Sequence, residues 1–234
     1  MAITVYWACN EKEWLRAKEP ESIYKNFIKN IKNKKTDIAI CPSIKEEMQN
    51  IFSLKSLYDY SFKIDEKINA AWSELYDQEF YDKHVQIRSI EDSLCSFQQE
   101  FIFFTEEKKL EMSAGMTPYL ENNNIIEKCI LIPGIFDIGK WFRPLDFAFY
   151  LKNNGKDFKI EENEVFQYIR FHSNKKIIFK QFIMNEKLNN FSKSFVRSKS
   201  FRKGKMRSMD DYYLMAKHKK NIIKEIKKNL VKGK

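Results

Sequence analysis

The chain has few of the residues that build disulfide scaffolds, zinc sites or glycine-rich phosphate loops. Its 234 residues include four cysteines, three histidines, six glycines and five prolines. The cysteines stand far apart without a CxxC pair, which argues against a disulfide framework and predicts reduced thiols in a cytoplasm. No histidine has a second histidine or a carboxylate at metal-ligand spacing, so we expect no metal site and no cofactor.

Long apolar runs are also missing, so we expect no transmembrane segment. The start, MAITVYWACNEKEW, lacks the basic and apolar regions of a secretory signal, which predicts a cytoplasmic protein. A nucleophile elbow, a Walker loop and a dinucleotide fingerprint are absent. Motifs therefore leave open whether the chain is an enzyme.

Aromatic and basic residues are abundant instead. Phe and Tyr number 20 and 11, enough for a packed core, and this excludes wholesale disorder. The net charge of +10 is not evenly spread. Residues 191–234 hold fifteen Lys and Arg against three acids, whereas the preceding 190 residues hold 27 bases and 29 acids. The basicity thus belongs to the C-terminal part of a nearly neutral chain.

Hydrophobic periodicity predicts an α+β protein whose core is a mainly antiparallel β-sandwich or a small barrel. From residue 85 onward, short alternating segments separated by turn-like pieces predict a series of strands: HVQIRSI, SFQQEFIFFT, KCILIP, LDFAFYL, FKIEEN, VFQYIRF and KIIFKQF. We divide the chain into a small α/β portion (1–84), the β-rich core (85–185) and a basic C-terminal part (186–234). The first two are expected to form one compact domain.

The N-terminal portion shows mixed signals. Strands are predicted at 3–7, 37–41 and 56–65. A helix is predicted where Ile23, Phe27, Ile28 and Ile31 recur near helical spacing after Pro20. The segment SIKEEMQNIF is expected to be a short helix or irregular.

The stretch from Gly134 to Leu151 combines aromatics with a charge at every third position. We predict two strands, KCILIPGIFDI and Phe142 to Leu151, around a turn at Ile138–Lys140, because glycines and a proline disfavour a helix there. The charges allow two interpretations. They lie at a solvated edge, or Asp137, Trp141 and Arg143 line a ligand pocket, since Trp beside a guanidinium holds flat or anionic ligands. Asp146 is the fourth pocket candidate, and Arg143 is expected to pair with Asp137 or Asp146.

Two resemblances add to this. The order G-I-F-D, aromatic strands and FKIEENEVFQYI resembles the β-clip core of trimeric deoxyuridine triphosphatases. That likeness implies a β-clip-like core in place of a plain sandwich. It also implies a water-activating role for Asp137 and places Gln167 on the strand that follows. Lys140 stands where those enzymes have the sugar-stacking aromatic, with Trp141 one residue further. The G-R-S-S phosphate motif is absent.

The second resemblance covers most of the chain. Cys41-Pro42, Phe52 to Phe62, Pro133 to Leu151 and Phe158 to Phe171 resemble a domain-of-unknown-function family of bacteria and tailed phages, notably marine ones. This implies a bacterial or phage origin, and for a phage-encoded chain it implies the host cytoplasm or the virion as the location. It carries over no activity, cofactor or catalytic residue.

The basic C-terminal part is the clearest functional feature. We predict an extended arm or linker after Met184 and a basic amphipathic helix beginning near Ser208. The arm carries these candidate anion-binding residues: Lys193, Arg197, Lys199, Arg202, Lys203, Lys205 and Arg207. Phe195 and Phe201 lie between them in the sequence and are expected to stack on bases.

Several partners remain open for residues 191–234: nucleic acid, an acidic protein, a membrane surface, or the chain's own body or a second copy in a homo-oligomer. We favour a non-enzymatic, phage-type binding or accessory protein whose basic arm docks an anionic or protein partner. The alternative is a small-molecule enzyme with its pocket near Asp137, Trp141 and Arg143.

Overall fold

The computed structural model describes residues 2–9, 15–32, 41–65, 70–72, 76–89, 94–98, 100–115, 129–152, 157–200 and 209–231. Its helices are α1 (Ile23–Lys32), α2 (Pro42–Met48), α3 (Gln78–His84), α4 (Glu186–Ser200), a 3-10 helix (Met209–His218) and α5 (Lys219–Lys228). Its strands are β1 (Ile3–Ala8), β2 (Glu21–Ser22), β3 (Ile51–Lys55), β4 (Tyr60–Asp65), β5 (Ala70–Trp72), β6 (Val85–Ser89), β7 (Leu94–Gln98), β8 (Ile102–Thr105), β9 (Glu111–Gly115), β10 (Cys129–Leu131), β11 (Gly134–Asp137), β12 (Asp146–Leu151), β13 (Asp157–Ile160), β14 (Val165–Phe171) and β15 (Ile177–Gln181).

The predicted fold class is confirmed: an α+β protein with mainly antiparallel sheets and a helix near the C-terminus. The sheets have the orders β15-β1-β8, β10-β12-β7-β6, β11-β9-β14-β3-β2 and β13-β4-β5. Among the described strands, β1 with β15 is the one parallel pair. Strands from 1–84 pair with strands from 85–185, as β3 does with β14 and β4 with β13.

Most predicted strands are present, but two were drawn too long. SFQQEFIFFT (Ser96–Thr105) covers the end of β7 and all of β8, which belong to different sheets. KCILIPGIFDI likewise divides into β10 and β11, and the chain changes sheet at Pro133, which has no N–H to donate to a ladder. The strand expected from Phe142 begins only at Asp146, after Pro144.

Strands β3 and β9 were missed. Ile51 and Phe52 were placed in the segment predicted as helical or irregular, although α2 ends at Met48 and the backbone turns at Asn50 in a left-handed conformation (φ 60°). The last three residues of β9, Ser113–Gly115, begin SAGMTPY, one of the pieces predicted as turns, yet β9 pairs with both β11 and β14. The strand predicted at 37–41 lies mostly outside the described residues, and Cys41 directly precedes α2.

The sheet β15-β1-β8 is apolar on both faces. One face of β1 and β8 carries Val5, Trp7 and Phe103, which join the main core. The ring centre of Phe103 lies 6.3 Å from that of Phe179 on β15. The ring centre of Phe179 in turn lies 4.8 Å from that of Phe52 on β3, in the neighbouring sheet. This contact between the aromatic faces of two sheets is the sandwich-like part of the core.

The other face of this sheet forms a second core with the C-terminal helices. Tyr6, Ala8, Ile102 and Phe104 pack there with these helical and neighbouring residues: Phe142, Phe182, Met184, Leu188, Phe195, Ile222, Ile223 and Ile226. The amphipathic helix predicted from near Ser208 is a 3-10 helix over Met209–His218 and becomes an α-helix only at Lys219. The apolar row of α5 docks that helix on the body.

The extended arm predicted after Met184 is wrong over Glu186–Ser200, because this segment is helix α4. Leu188 and Phe195 are 0% and 2% exposed and cover the apolar sheet face, so burial stabilises a helix whose composition does not favour one. Phe195 is therefore a core residue. Phe201 lies outside the described residues.

A carboxylate on α5 ties the two C-terminal helical segments together. Glu225 is 8% exposed and accepts a hydrogen bond from Asn185 Nδ2 at 3.0 Å. Lys187 and Lys228 place their Nζ atoms 3.3 Å and 3.4 Å from Glu225 Oε2. The hydrogen bond from Asn185, followed by those from the two lysines, lowers the pKa of Glu225 to about 2.

Shortening Ile222 to alanine should lower the free energy of unfolding by about 2–5 kcal/mol, because its fully buried side chain would leave a cavity in the second core. Urea denaturation followed by circular dichroism measures the change. Lys224→Ala, on the exposed face of the same helix, is the control and should shift stability by no more than about 0.5 kcal/mol. Equal midpoints for the two variants would contradict the docked arrangement of α5.

Glu225 should make stability depend on pH in the acid range. Its pKa is lower in the folded protein than the ordinary value of 4.5, so its contribution is complete above pH 4.5 and is lost as the pH falls toward 2. The difference in thermal midpoint between the natural chain and Glu225→Gln should therefore shrink between pH 5 and about pH 2. A constant difference over that range would refute the lowered pKa.

Candidate functional site

An open cleft of about 750 Å³ lies where the C-terminal helical segment meets two turns of the body. Three chain segments line it: Glu106 and Lys108 after β8, Gly139 and Lys140 after β11, and Ala216, Lys217, Lys219, Lys220 and Ile223 around the start of α5. Five of these residues are lysines and one is an acid. We call this the lysine cleft.

The acid of the cleft is already engaged. Glu106 accepts a hydrogen bond from the Tyr6 hydroxyl and one from Lys227 Nζ at 2.8 Å. The bond from Lys227, followed by that from Tyr6, lowers the pKa of Glu106, while burial and the carboxylate partner raise that of Tyr6. Glu106 is thus held ionised by partners outside the cleft lining, and the charge of the remaining lining residues is positive.

Asp137 organises the turn that forms one wall. It is 5% exposed, and its Oδ1 accepts hydrogen bonds from the backbone N–H groups of Leu110 at 3.2 Å and Gly139 at 3.0 Å. Its Oδ2 lies 3.4 Å from Lys140 Nζ. These contacts satisfy backbone groups of two loops at once, so the carboxylate fixes where Gly139 and Lys140 stand in the cleft.

Lys219 reaches from the start of α5 into the same turn. Its Nζ donates a hydrogen bond to the carbonyl oxygen of Glu107. Burial lowers the pKa of Lys219, and the nearby charges of Asp137 and Glu107 oppose that effect. A Cβ on Gly139 would lie 2.8 Å from Glu107 O and 2.9 Å from Lys219 Nζ, so this approach requires glycine.

The 3-10 helix covers the other side of the turn. The backbone N–H of Asp137 donates to the Tyr213 hydroxyl at 2.8 Å, and Lys140 Nζ lies 5.3 Å from the centre of the Tyr213 ring. Trp141 meets Tyr213 edge-on, with ring centres 6.4 Å apart. Tyr213 therefore links the predicted pocket stretch to the C-terminal segment.

The four predicted pocket residues lie together, but three are largely enclosed. Asp137, Trp141 and Arg143 are each 5% exposed. The Arg143 guanidinium carbon lies 4.8 Å from the centre of the Trp141 ring, and its Nη2 bonds Asp146 Oδ2 at 2.7 Å. Arg88 Nη2 lies 3.7 Å from the same oxygen. From this stretch, the lysine cleft is lined by Gly139 and Lys140.

The predicted basic residues have a mixed outcome. Lys193 and Arg197 are exposed on α4, and the side chain of Lys199 lies outside the described parts. Arg202, Lys203, Lys205 and Arg207 belong to the segment between α4 and the 3-10 helix, outside the described residues. Lys108, Lys140, Lys217, Lys219 and Lys220 were not singled out as anion-binding residues, since only the fold brings their three segments together.

The buried cysteines offer little chemistry. None of the four cysteines, all of which the structure describes, forms a disulfide, and Cys9, Cys95 and Cys129 are buried. Burial raises the pKa of the Cys95 and Cys129 thiols to about 12, which suits inert core residues. Among the residues described, no group of three or more His, Cys, Asp or Glu side chains is placed to hold a metal ion. Nor is any described helix both long and apolar enough to cross a membrane.

No protein-family model matches this chain, and no curated protein matches it at a significant level.

Substituting Gly139 with alanine should lower the free energy of unfolding by about 1–3 kcal/mol, since the new methyl group would press on the backbone carbonyl of Glu107. Chemical denaturation measures this effect. Gly115→Ala is a matched control, because a Cβ there meets its nearest atom, in Pro133, at 3.6 Å, an ordinary contact. If Gly139→Ala were as stable as Gly115→Ala, the close packing of Lys219 against this turn would be disproved.

Proposed function

We propose that the chain is a non-enzymatic, phage-type binding or accessory protein that holds a polyanion in the lysine cleft. Nucleic acid is the partner we favour over an acidic protein. One observation carries the proposal: five lysines from three separate segments line one cleft, and its single carboxylate is held by Tyr6 and Lys227. In a chain whose first 190 residues are nearly neutral, such a concentration produces a local positive potential.

The kind of cation favours a phosphate backbone as ligand. Each lysine is a compact point charge on a flexible stem, without the planar fork with which arginine reads a base edge or a single carboxylate. Lysines in a row neutralise successive phosphates and release counterions, and that attraction is independent of base sequence. The cleft therefore suits binding to the backbone of nucleic acid rather than recognition of a base sequence.

The basic surface continues beyond the cleft. Lys224 is exposed on α5, while Ile222, Ile223 and Ile226 hold that helix on the body. A docked helix keeps its charges in a fixed arrangement, which reduces the entropy lost when a partner binds. We propose a host cytoplasm or a virion as the setting, where a protein of this kind meets nucleic acid.

A charge-matched comparison tests the proposal. The variant with Lys140→Gln, Lys217→Gln and Lys220→Gln removes three lysines of the cleft and should bind single- and double-stranded oligonucleotides more weakly. The negative slope of log K against log salt should become shallower by about two to three units, since each duplex phosphate contact contributes about −0.9. Fluorescence anisotropy over a salt series measures both quantities on the full chain.

The control variant carries Lys45→Gln, Lys159→Gln and Lys176→Gln, which remove the same charge from exposed positions outside the cleft. It should keep the salt slope of the unchanged protein. If both variants lost the same affinity for nucleic acid, net charge and not the cleft would account for the effect. If the unchanged chain bound no nucleic acid, the nucleic-acid proposal would be overturned. Tighter binding of polyglutamate than of nucleic acid would assign the cleft to an acidic protein instead.

A further inference from the structure

A second cleft, of about 330 Å³, lies between helix α4 and the body. Its lining shares no residue with that of the lysine cleft: Lys83, Glu100, Ile102, Pro144, Met184, Asn189, Ser192, Lys193, Val196 and Arg197. Its volume is within the range of pockets that hold small molecules. We call it the α4 cleft.

Helix α4 supplies one wall through a regular stripe. Asn189, Ser192, Lys193 and Val196 follow the i, i+3, i+4, i+7 spacing of one helix face. Leu188 and Phe195 occupy the neighbouring face and are buried in the second core. Because the buried face fixes the rotation of the helix, the stripe is directed into the cleft.

The floor and the rim of this cleft differ in chemistry. Ile102 and Met184 are each 2% exposed at the floor, and Pro144 and the 39% exposed Val196 add apolar surface. Lys83, Lys193 and Arg197 bring three positive charges. The lining has one acid, Glu100, whose carboxylate lies 4.0 Å from Lys83 Nζ. Lys193 and Arg197 therefore give the rim a net positive charge over an apolar floor.

We propose that the α4 cleft binds a small organic anion with one carboxylate or phosphate group attached to an apolar body. The apolar body lies over Ile102, Met184 and Pro144, where its burial provides the hydrophobic gain. The anionic group lies at the rim within reach of Lys193 and Arg197, which stay in contact with water and avoid the cost of a fully desolvated ion pair. This site is independent of the polyanion proposed for the lysine cleft.

The choice of an amphipathic ligand follows from the combination of surfaces. A phosphate backbone would leave the apolar floor without a partner, and an uncharged hydrocarbon would leave the two cations unused. A carboxylate on a short alkyl chain matches both parts at once. Lys193 and Arg197, predicted from the sequence as members of a nucleic-acid arm, are thereby assigned to a different ligand.

Calorimetric titration of the full chain with octanoate tests the inference, with octanol and inorganic phosphate as partial probes. Octanoate should bind more tightly than either. The double variant Lys193→Gln/Arg197→Gln should weaken octanoate binding about ten-fold, the combined effect of two exposed charge contacts. Val196→Glu adds a carboxylate at an exposed helix position and should abolish binding without loss of helix content in circular dichroism.

A second double variant, Lys217→Gln/Lys220→Gln, removes equal charge from the lysine cleft and should leave octanoate binding unchanged. The proposal is overturned if octanoate binds equally well to the protein with Lys193→Gln/Arg197→Gln, or if octanol binds as tightly as octanoate. The proposal would likewise be overturned if inorganic phosphate bound as tightly as octanoate and displaced it, because the site would then recognise only the anionic group. If the unchanged protein does not bind octanoate, the α4-cleft proposal fails by itself. The nucleic-acid comparison is unaffected, because it concerns other lysines.

Discussion

The arrangement of this protein depends on a three-stranded sheet that is apolar on both faces. Side chains of β1 alternate between two cores, with Val5 and Trp7 on one side and Tyr6 and Ala8 on the other. One face is covered by strands, and the other is covered by the C-terminal helices. Leaving that second face in water would cost about 2 kcal/mol for each large side chain exposed, so the helices are an integral part of the fold.

The two clefts are consequences of this covering. A helix laid on a sheet contacts it along one row of side chains, and the space beside that row is closed only where other segments reach it. The Asp137 turn approaches one end of α5 and leaves the lysine cleft, while Pro144 and α3 approach α4 and leave the other. Both clefts are bordered by helices rich in lysine, which explains why both are positive.

Sequence patterns predicted the elements whose own apolar residues recur with the period of a regular strand or helix. Phe147 and Phe149 alternate with exposed Tyr150, and this period of two correctly placed β12 and its buried face. The row Ile222, Ile223 and Ile226 likewise predicted α5. Arg143 was expected to pair with Asp137 or Asp146, and it bonds Asp146.

The remaining features depend on contacts between distant segments. α4 contains Asn and Ser at many positions, and only the burial of Leu188 and Phe195 on the sheet decides its conformation. β9 is weak by composition and is held by pairing on both edges. The lysine cleft brings Lys108, Lys140 and Lys217 together from three parts of the chain, and no local pattern contains that information.

The parallel pairing of β1 with β15 has a consequence for how the chain acquires its structure. Ile3 stands opposite Ile177, so the ribosome must make more than 170 further residues before β1 can complete its sheet. At the usual rates of translation this takes on the order of ten seconds or more, during which a strand with Val5, Tyr6 and Trp7 lacks its final neighbour. During this delay the unpaired edge of an apolar strand is open to pairing with other chains, so aggregation competes with folding until β15 has been made.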